Sequence, residues 1–215
     1  MGQQAGLVTD GVTLRRATRP GDVQVAGHRA PYKGFFAVEE YDLCFRRFDG
    51  GMSDVVSRTA FVTGDAVTVL PYDAVRDRVL LIEQFRPAPF VRGDAECWSL
   101  EAIAGRVDAG ETPEVAARRE AVEEAGLVLG DLLFVAGYYP SPGAVAEYLY
   151  SYVALTDLPD GIAGVFGLEG EAEDIRGHLV GFDALMGVVA SGEINNAPLV
   201  LTALWLARER GKLRG

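Results

Sequence analysis

Apolar and polar residues alternate through the first third of the chain, the period of strands with one covered face. Strands are predicted over residues 23–30, 35–48 and 55–62. The turn-forming clusters Arg19-Pro-Gly-Asp22, Tyr32-Lys-Gly34 and Asp49-Gly-Gly51 precede and separate them. Two more strands, 66–70 and 78–84, are joined by Pro71-Tyr-Asp-Ala-Val-Arg-Asp77. A short strand over 98–104 leads to a helix over 112–125, with Thr112 as its N-cap, Pro113 at its first position and Gly126 just past its end. Strands follow over 132–139, 147–155 and 176–182, a Gly- and Glu-rich loop spans 161–173, and two helices at 183–191 and 196–209 close the chain. Strands and helices mix without a regular β-α-β repeat. That order predicts an α/β (α+β) chain with a mixed sheet between helices. There is no internal repeat or low-complexity tract.

A chain of 215 residues that is 49% hydrophobic can bury a sizeable core and leaves room for a smaller appended unit. No apolar run reaches the roughly 18 residues of a membrane span. The first residues lack a basic start followed by an apolar block, so no signal peptide is expected. Cys44 and Cys97 form neither a metal-ligand spacing nor a disulfide framework, and a cytoplasmic location is expected. The net charge of −11 and the lack of a long basic run argue against a nucleic-acid binder. Such a chain can serve solubility by its charge alone. If it handles an anionic ligand, metal ions and a few arginines must neutralise that ligand locally.

The chemistry concentrates in residues 105–127, which read Gly105-x5-Glu111-x7-Arg119-Glu120-Ala-x-Glu123-Glu124-x-Gly126-Leu127. At about 100° per residue, Val115 and Val122 share a face and are expected to pack into the core. Glu120 and Glu124 then point roughly the other way, with Glu123 between the faces, and Glu111 folds back from the preceding loop. Two bare carboxylates 4 Å apart repel by roughly 4 kcal/mol at an effective dielectric near 20. Mg2+, or Mn2+ as a substitute, removes the problem by taking carboxylate oxygens and bridging them to phosphate. The fork of donors on Arg119 can orient its acidic neighbours. A pair such as Glu123-Glu124 is common on solvated helix faces. Seven fixed residue types, each at a background frequency of about 1 in 15, match by chance on the order of 10⁻⁸ times per start position.

This pattern is the Nudix box, and the chain resembles the Nudix hydrolases. The resemblance extends to Tyr32-Lys-Gly-Phe-Phe36, Leu80-Leu-Ile-Glu-Gln-Phe-Arg86, Leu100-Glu-Ala-Ile-Ala-Gly105, Ser141-Pro-Gly143 with Glu147, Glu171-Ala-Glu-Asp-Ile175 and Gly192-Glu-Ile-Asn-Asn196, all similar to bacterial ADP-ribose pyrophosphatases. Some proteins of that branch carry a tellurite-resistance label. The resemblance implies an α/β/α sandwich over 65–215 and an N-terminal β-sheet dimerisation region over 1–64, with strands exchanged in a homodimer. It implies metal ligation by Glu120, Glu124 and the Ala104 carbonyl, with Glu123 beside them and Glu173 completing the shell. Glu171 would be the general base. Arg86 would bind phosphate, Phe35 and Arg58 the nucleotide, and Glu147 the ribose side, with Pro142 as the branch's marker proline. Thr59 follows Arg58 where that branch carries an acidic residue.

The implied reaction is Mg2+-dependent hydrolysis of ADP-ribose to AMP and ribose 5-phosphate, with no nucleic acid, membrane or covalent intermediate. GDP-mannose or another nucleoside diphosphate sugar, a dinucleotide, or a modified nucleotide fits the same box. A nucleotide-sugar sensor is the rival of another class. Such modules often lose box glutamates, and here Glu111, Glu120, Glu123 and Glu124 are all present.

Overall fold

A computed structural model describes residues 14–167, 170 and 173–215. The chain divides into two compact units, Met1–Ala60 and Phe61–Gly215. The first holds β1 (Val23–Lys33), β2 (Ala37–Phe45) and most of β3 (Val56–Val62), neighbours in that order in one sheet. β1 and β2 pair antiparallel from Val23 opposite Phe45 to Lys33 opposite Ala37, with two register shifts between. Phe35 and Phe36 do not begin a strand as the alternation suggested. They occupy the turn, where Gly34 N–H donates to Phe36 O.

The second unit is built on an eight-stranded mixed sheet. Its main path runs β11 (Val165–Phe166), β12 (Ile175–Gly181), β5 (Arg78–Phe85), β4 (Ala66–Asp73), β10 (Leu149–Leu155) and β8 (Leu132–Tyr138). β4 and β10 are parallel, whereas β12–β5, β4–β5 and β10–β8 are antiparallel. β4 and β5 pair only near their turn, Tyr72 with Val79 and Asp73 with Arg78. Farther along, β6 (Trp98–Glu101) pairs with β5 and β7 (Ile103–Arg106) with β4. The single strand expected over 98–104 is therefore two, because the chain changes partner at Ala102. The last two residues of β3, Phe61 and Val62, pair in parallel with β9 (Val145–Ala146).

Alternation along β4 and β5 makes two cores. Val67, Val69, Leu80 and Ile82 face helix α2 (Pro113–Ala125). Leu70, Tyr72, Val79 and Leu81 face helices α3 (Phe182–Ser191) and α4 (Ala197–Leu213). A short helix, α1 (Pro87–Arg92), follows β5. No helix among the described residues is long and apolar enough to cross a membrane.

Helix α2 has the predicted caps. Thr112 Oγ1 accepts from Val115 N–H at 3.3 Å, and Gly126 takes the left-handed conformation at φ 61°. Its orientation corrects the expectation: Val115 and Val122 are 52% and 55% exposed, and Ala116, Ala117, Ala121, Glu124 and Ala125 are buried. The helix is turned by about half a revolution from the face hydropathy suggested. Alanines let its backbone approach the sheet closely, and the valines are left in solvent.

Candidate active site

The inverted helix carries Glu124 inward, where it is only 2% exposed. Its Oε2 accepts from the Ala104 backbone N–H at 2.9 Å, and Gln84 Nε2 lies 3.5 Å from Oε1. Ala104 is placed by β7, opposite Thr68 of β4. Burial, reinforced by the charges of Glu120 and Glu173, pushes the Glu124 carboxyl up to about 8, although the Ala104 N–H and Arg86 work against the rise.

One helical turn back, the Glu120 carboxylate lies over Gly105, so close that any side chain at 105 would overlap it. Burial pushes Glu120 up to about 7, with Arg119 opposing and Glu123 and Glu173 adding to the rise. Arg119 is the hub of the box. It reaches both Glu111 oxygens at 3.1 Å, Glu120 Oε1 at 2.7 Å, Glu123 Oε2 at 3.0 Å and the Arg106 carbonyl at 2.9 Å. The Arg119 fork in turn holds the Glu111 carboxyl below its ordinary range. Glu111 does fold back toward the helix, as expected, and it does so through Arg119.

Arg86 directly follows β5, and its backbone N–H donates to Cys97 O at 2.9 Å. Its guanidinium forms a bidentate pair with Glu101, Nε to Oε1 at 3.0 Å and Nη2 to Oε2 at 2.7 Å. Burial opposes the charge on Arg86, but Glu101, with Glu124 and Glu173 beyond it, raises its pKa above the ordinary value. The sequence alone assigns no role to Glu101 or Gln84. The available signal was a lone carboxylate in an apolar strand, which must find a partner when buried.

Glu173 is half-buried, and its charge acts on Glu120, Glu124 and Arg86. Glu171 lies outside the described residues. Glu147 follows β9, receives a hydrogen bond from Thr63 Oγ1 at 3.4 Å, and is raised by burial. Pro142 is exposed in a turn closed by Ala144 and Val145 N–H groups on Ser141 O. Phe35 and Arg58 belong to the first unit. Phe35 is 75% exposed beside Phe36, and exposed Arg58 donates to the Ser57 carbonyl at 2.9 Å.

Among the described residues, no three His, Cys, Asp or Glu side chains converge at metal-ligand spacing. The chemistry of the donors still suits a hard divalent cation. They are all oxygens, and two of them are held near or above neutrality by burial and mutual repulsion that a cation would relieve.

Comparison with known proteins identifies the family. Residues 62–201 match the NUDIX domain family. The sequence is 40% identical over 185 residues to an ADP-ribose pyrophosphatase of Escherichia coli K12, covering 86% of this chain and 88% of that one. It is 33% identical over 195 residues to an ADP-ribose pyrophosphatase of Haemophilus influenzae, covering 90% and 89%. To a GDP-mannose pyrophosphatase of Salmonella choleraesuis it is 34% identical over 149 residues, covering 69% and 76%. In fold it is similar to a crystal structure of an ADP compounds hydrolase, with a TM-score of 0.64 and 22% identity over 93% of this chain and 100% of the other.

Proposed function

The chain belongs to the Nudix family, and on that premise we propose that it hydrolyses the diphosphate of ADP-ribose to AMP and ribose 5-phosphate with Mg2+ bound. The observation that carries this reading is the pair of buried box carboxylates, Glu124 on the Ala104 N–H and Glu120 against Gly105 and Arg119. Glu120, Glu124, Glu173 and the Ala104 carbonyl would hold the metal, with Glu123 next to them. Bound Mg2+, or Mn2+ in its place, would neutralise the diphosphate and lower the pKa of a coordinated water.

The remaining work falls to the chain's own side chains. Arg86 takes a non-bridging phosphate oxygen. Glu171 accepts the proton of the attacking water as one phosphorus–oxygen bond forms and the bridging bond breaks. Glu147 contacts the ribose side, and the turn at Pro142 precedes it in the chain. Phe35 and Arg58 contact the nucleotide from the partner of a homodimer assembled through residues 1–64. Support for that assembly is the exposure of β1, in which ten of eleven residues are exposed.

Turnover of ADP-ribose and GDP-mannose, measured side by side with excess Mg2+ and a chelator control, tests the reading. Chelator-sensitive release of AMP, much faster than any release from GDP-mannose, is the expected result. Preference for GDP-mannose would keep the site and replace the substrate. No turnover of either would sink the enzyme reading.

A further inference from the structure

Arg86 feels the charges of Glu101, Glu124 and Glu173, and among the described residues Glu101 is the acid its guanidinium hydrogen-bonds. Glu101 ends β6, opposite Ile82 of β5, and is 5% exposed. Its plane matches the guanidinium fork, and both its oxygens are used, at 3.0 and 2.7 Å. The Arg86 side chain is 39% exposed against 6% for that of Glu101. The acid is therefore the fixed member, and the guanidinium extends from it toward solvent. The backbone of Arg86 is pinned as well, by its N–H on Cys97 O. The pair employs Nε and Nη2 and leaves Nη1 outside it. The charges of Glu124 and Glu173 act on the same guanidinium.

We infer that Glu101 is a positioning residue for the proposed reaction: it holds Arg86 in one bidentate pose, turned to the diphosphate and kept off Glu124 and Glu173. The inference rests on the diphosphatase reading for its substrate side and on the pair's geometry for the rest. Without the negative charge at 101, the carboxylates whose charge acts on Arg86 among the described residues are Glu124 and Glu173, and both belong to the proposed metal set. A guanidinium on those oxygens competes with the cation and abandons the phosphate at once. A buried pair that served stability alone would carry no such link to metal affinity.

The test uses the full-length protein and Mn2+ alone as the probe, with affinity read by calorimetry without substrate. Glu101→Gln is expected to weaken Mn2+ binding about tenfold or more and to raise the KM for ADP-ribose by a similar factor, with a smaller effect on kcat. Adding Arg86→Gln to Glu101→Gln removes the intruding guanidinium. Mn2+ affinity is then expected to return toward the wild-type value while KM stays high. Unchanged Mn2+ affinity in Glu101→Gln, or no recovery in the double variant, overturns the inference. If Glu101→Gln does not fold, Glu101→Asp keeps the charge but is too short for the same fork, and the same Mn2+ measurement decides. A wild-type protein that does not turn over ADP-ribose would overturn the substrate reading, and the Mn2+ arm would still decide the role of Glu101.

Discussion

A Cβ on Gly105 would stand 1.8 Å from Glu120 Oε1 and 2.0 Å from its Cδ. The overlap is with most of the carboxylate end, so the glutamate must change rotamer and cannot merely shift. Gly105 has no positive φ, so alanine suits its backbone and the fold has little to lose. Gly105→Ala is accordingly expected to keep a near-wild-type melting temperature and to lose about 100-fold or more in kcat/KM, the scale of a misplacement near 1 Å. Full activity in a folded variant would show that Glu120 need not lie over Gly105. The resemblance to the Nudix hydrolases names Glu120, Glu124 and Ala104 together, and in the structure the Ala104 backbone N–H donates to Glu124. Glu101 is not legible, because its partner lies fifteen positions away, just past the end of another strand. No spacing rule encodes that pairing.

At the scale of elements, capping chemistry was legible and packing room was not. Thr112, Pro113 and Gly126 bound α2 as their local chemistry requires. Hydropathy chose the valine face for the core, yet the sheet accepts the alanine face, since the choice depends on how closely β4 and β7 approach. The two-residue strands β9 and β11 have no period to read, and β11 falls within the expected loop. The N-terminal strands pose a different question. Val23, Val25, Tyr32 and Phe45 of β1 and β2 are all more than 40% exposed. An apolar, exposed sheet is a surface that association would cover. Light scattering at micromolar concentration is expected to give twice the chain mass of 23.1 kDa. A single-chain mass would remove the dimer and, with it, Phe35 and Arg58 as partner contributions.

For the molecule as a whole, most charge is spent on the surface, and Asp77 is an exception that ties together distant parts of the second unit. It sits in the β4–β5 turn at φ 57°, a left-handed conformation that aspartate tolerates. Its carboxylate accepts from Tyr72 Oη at 2.8 Å and from Arg210 Nε at 2.9 Å, and pairs with Arg214 at 2.8 Å. Its carbonyl accepts from the Phe182 N–H at 3.0 Å, where α3 begins, and Arg210 lies 4.2 Å above the Phe182 ring. Arg210, foremost, holds the Asp77 pKa at about 2 against an ordinary 3.8. A folded pKa below the unfolded one stabilises the fold above the unfolded value, and the gain is lost as pH falls through the folded value. The shift corresponds to about 2 kcal/mol, which partial solvent exposure of the arginines reduces to about 1–2 kcal/mol. Asp77→Asn keeps the left-handed backbone and removes the charge. Urea unfolding should show the variant less stable by that amount at pH 7. The gap should begin to narrow as pH drops toward 3.8 and close near pH 2. A gap that held constant from pH 7 to pH 3 would assign the loss to the hydrogen bonds of the turn and not to the charge that joins it to α4.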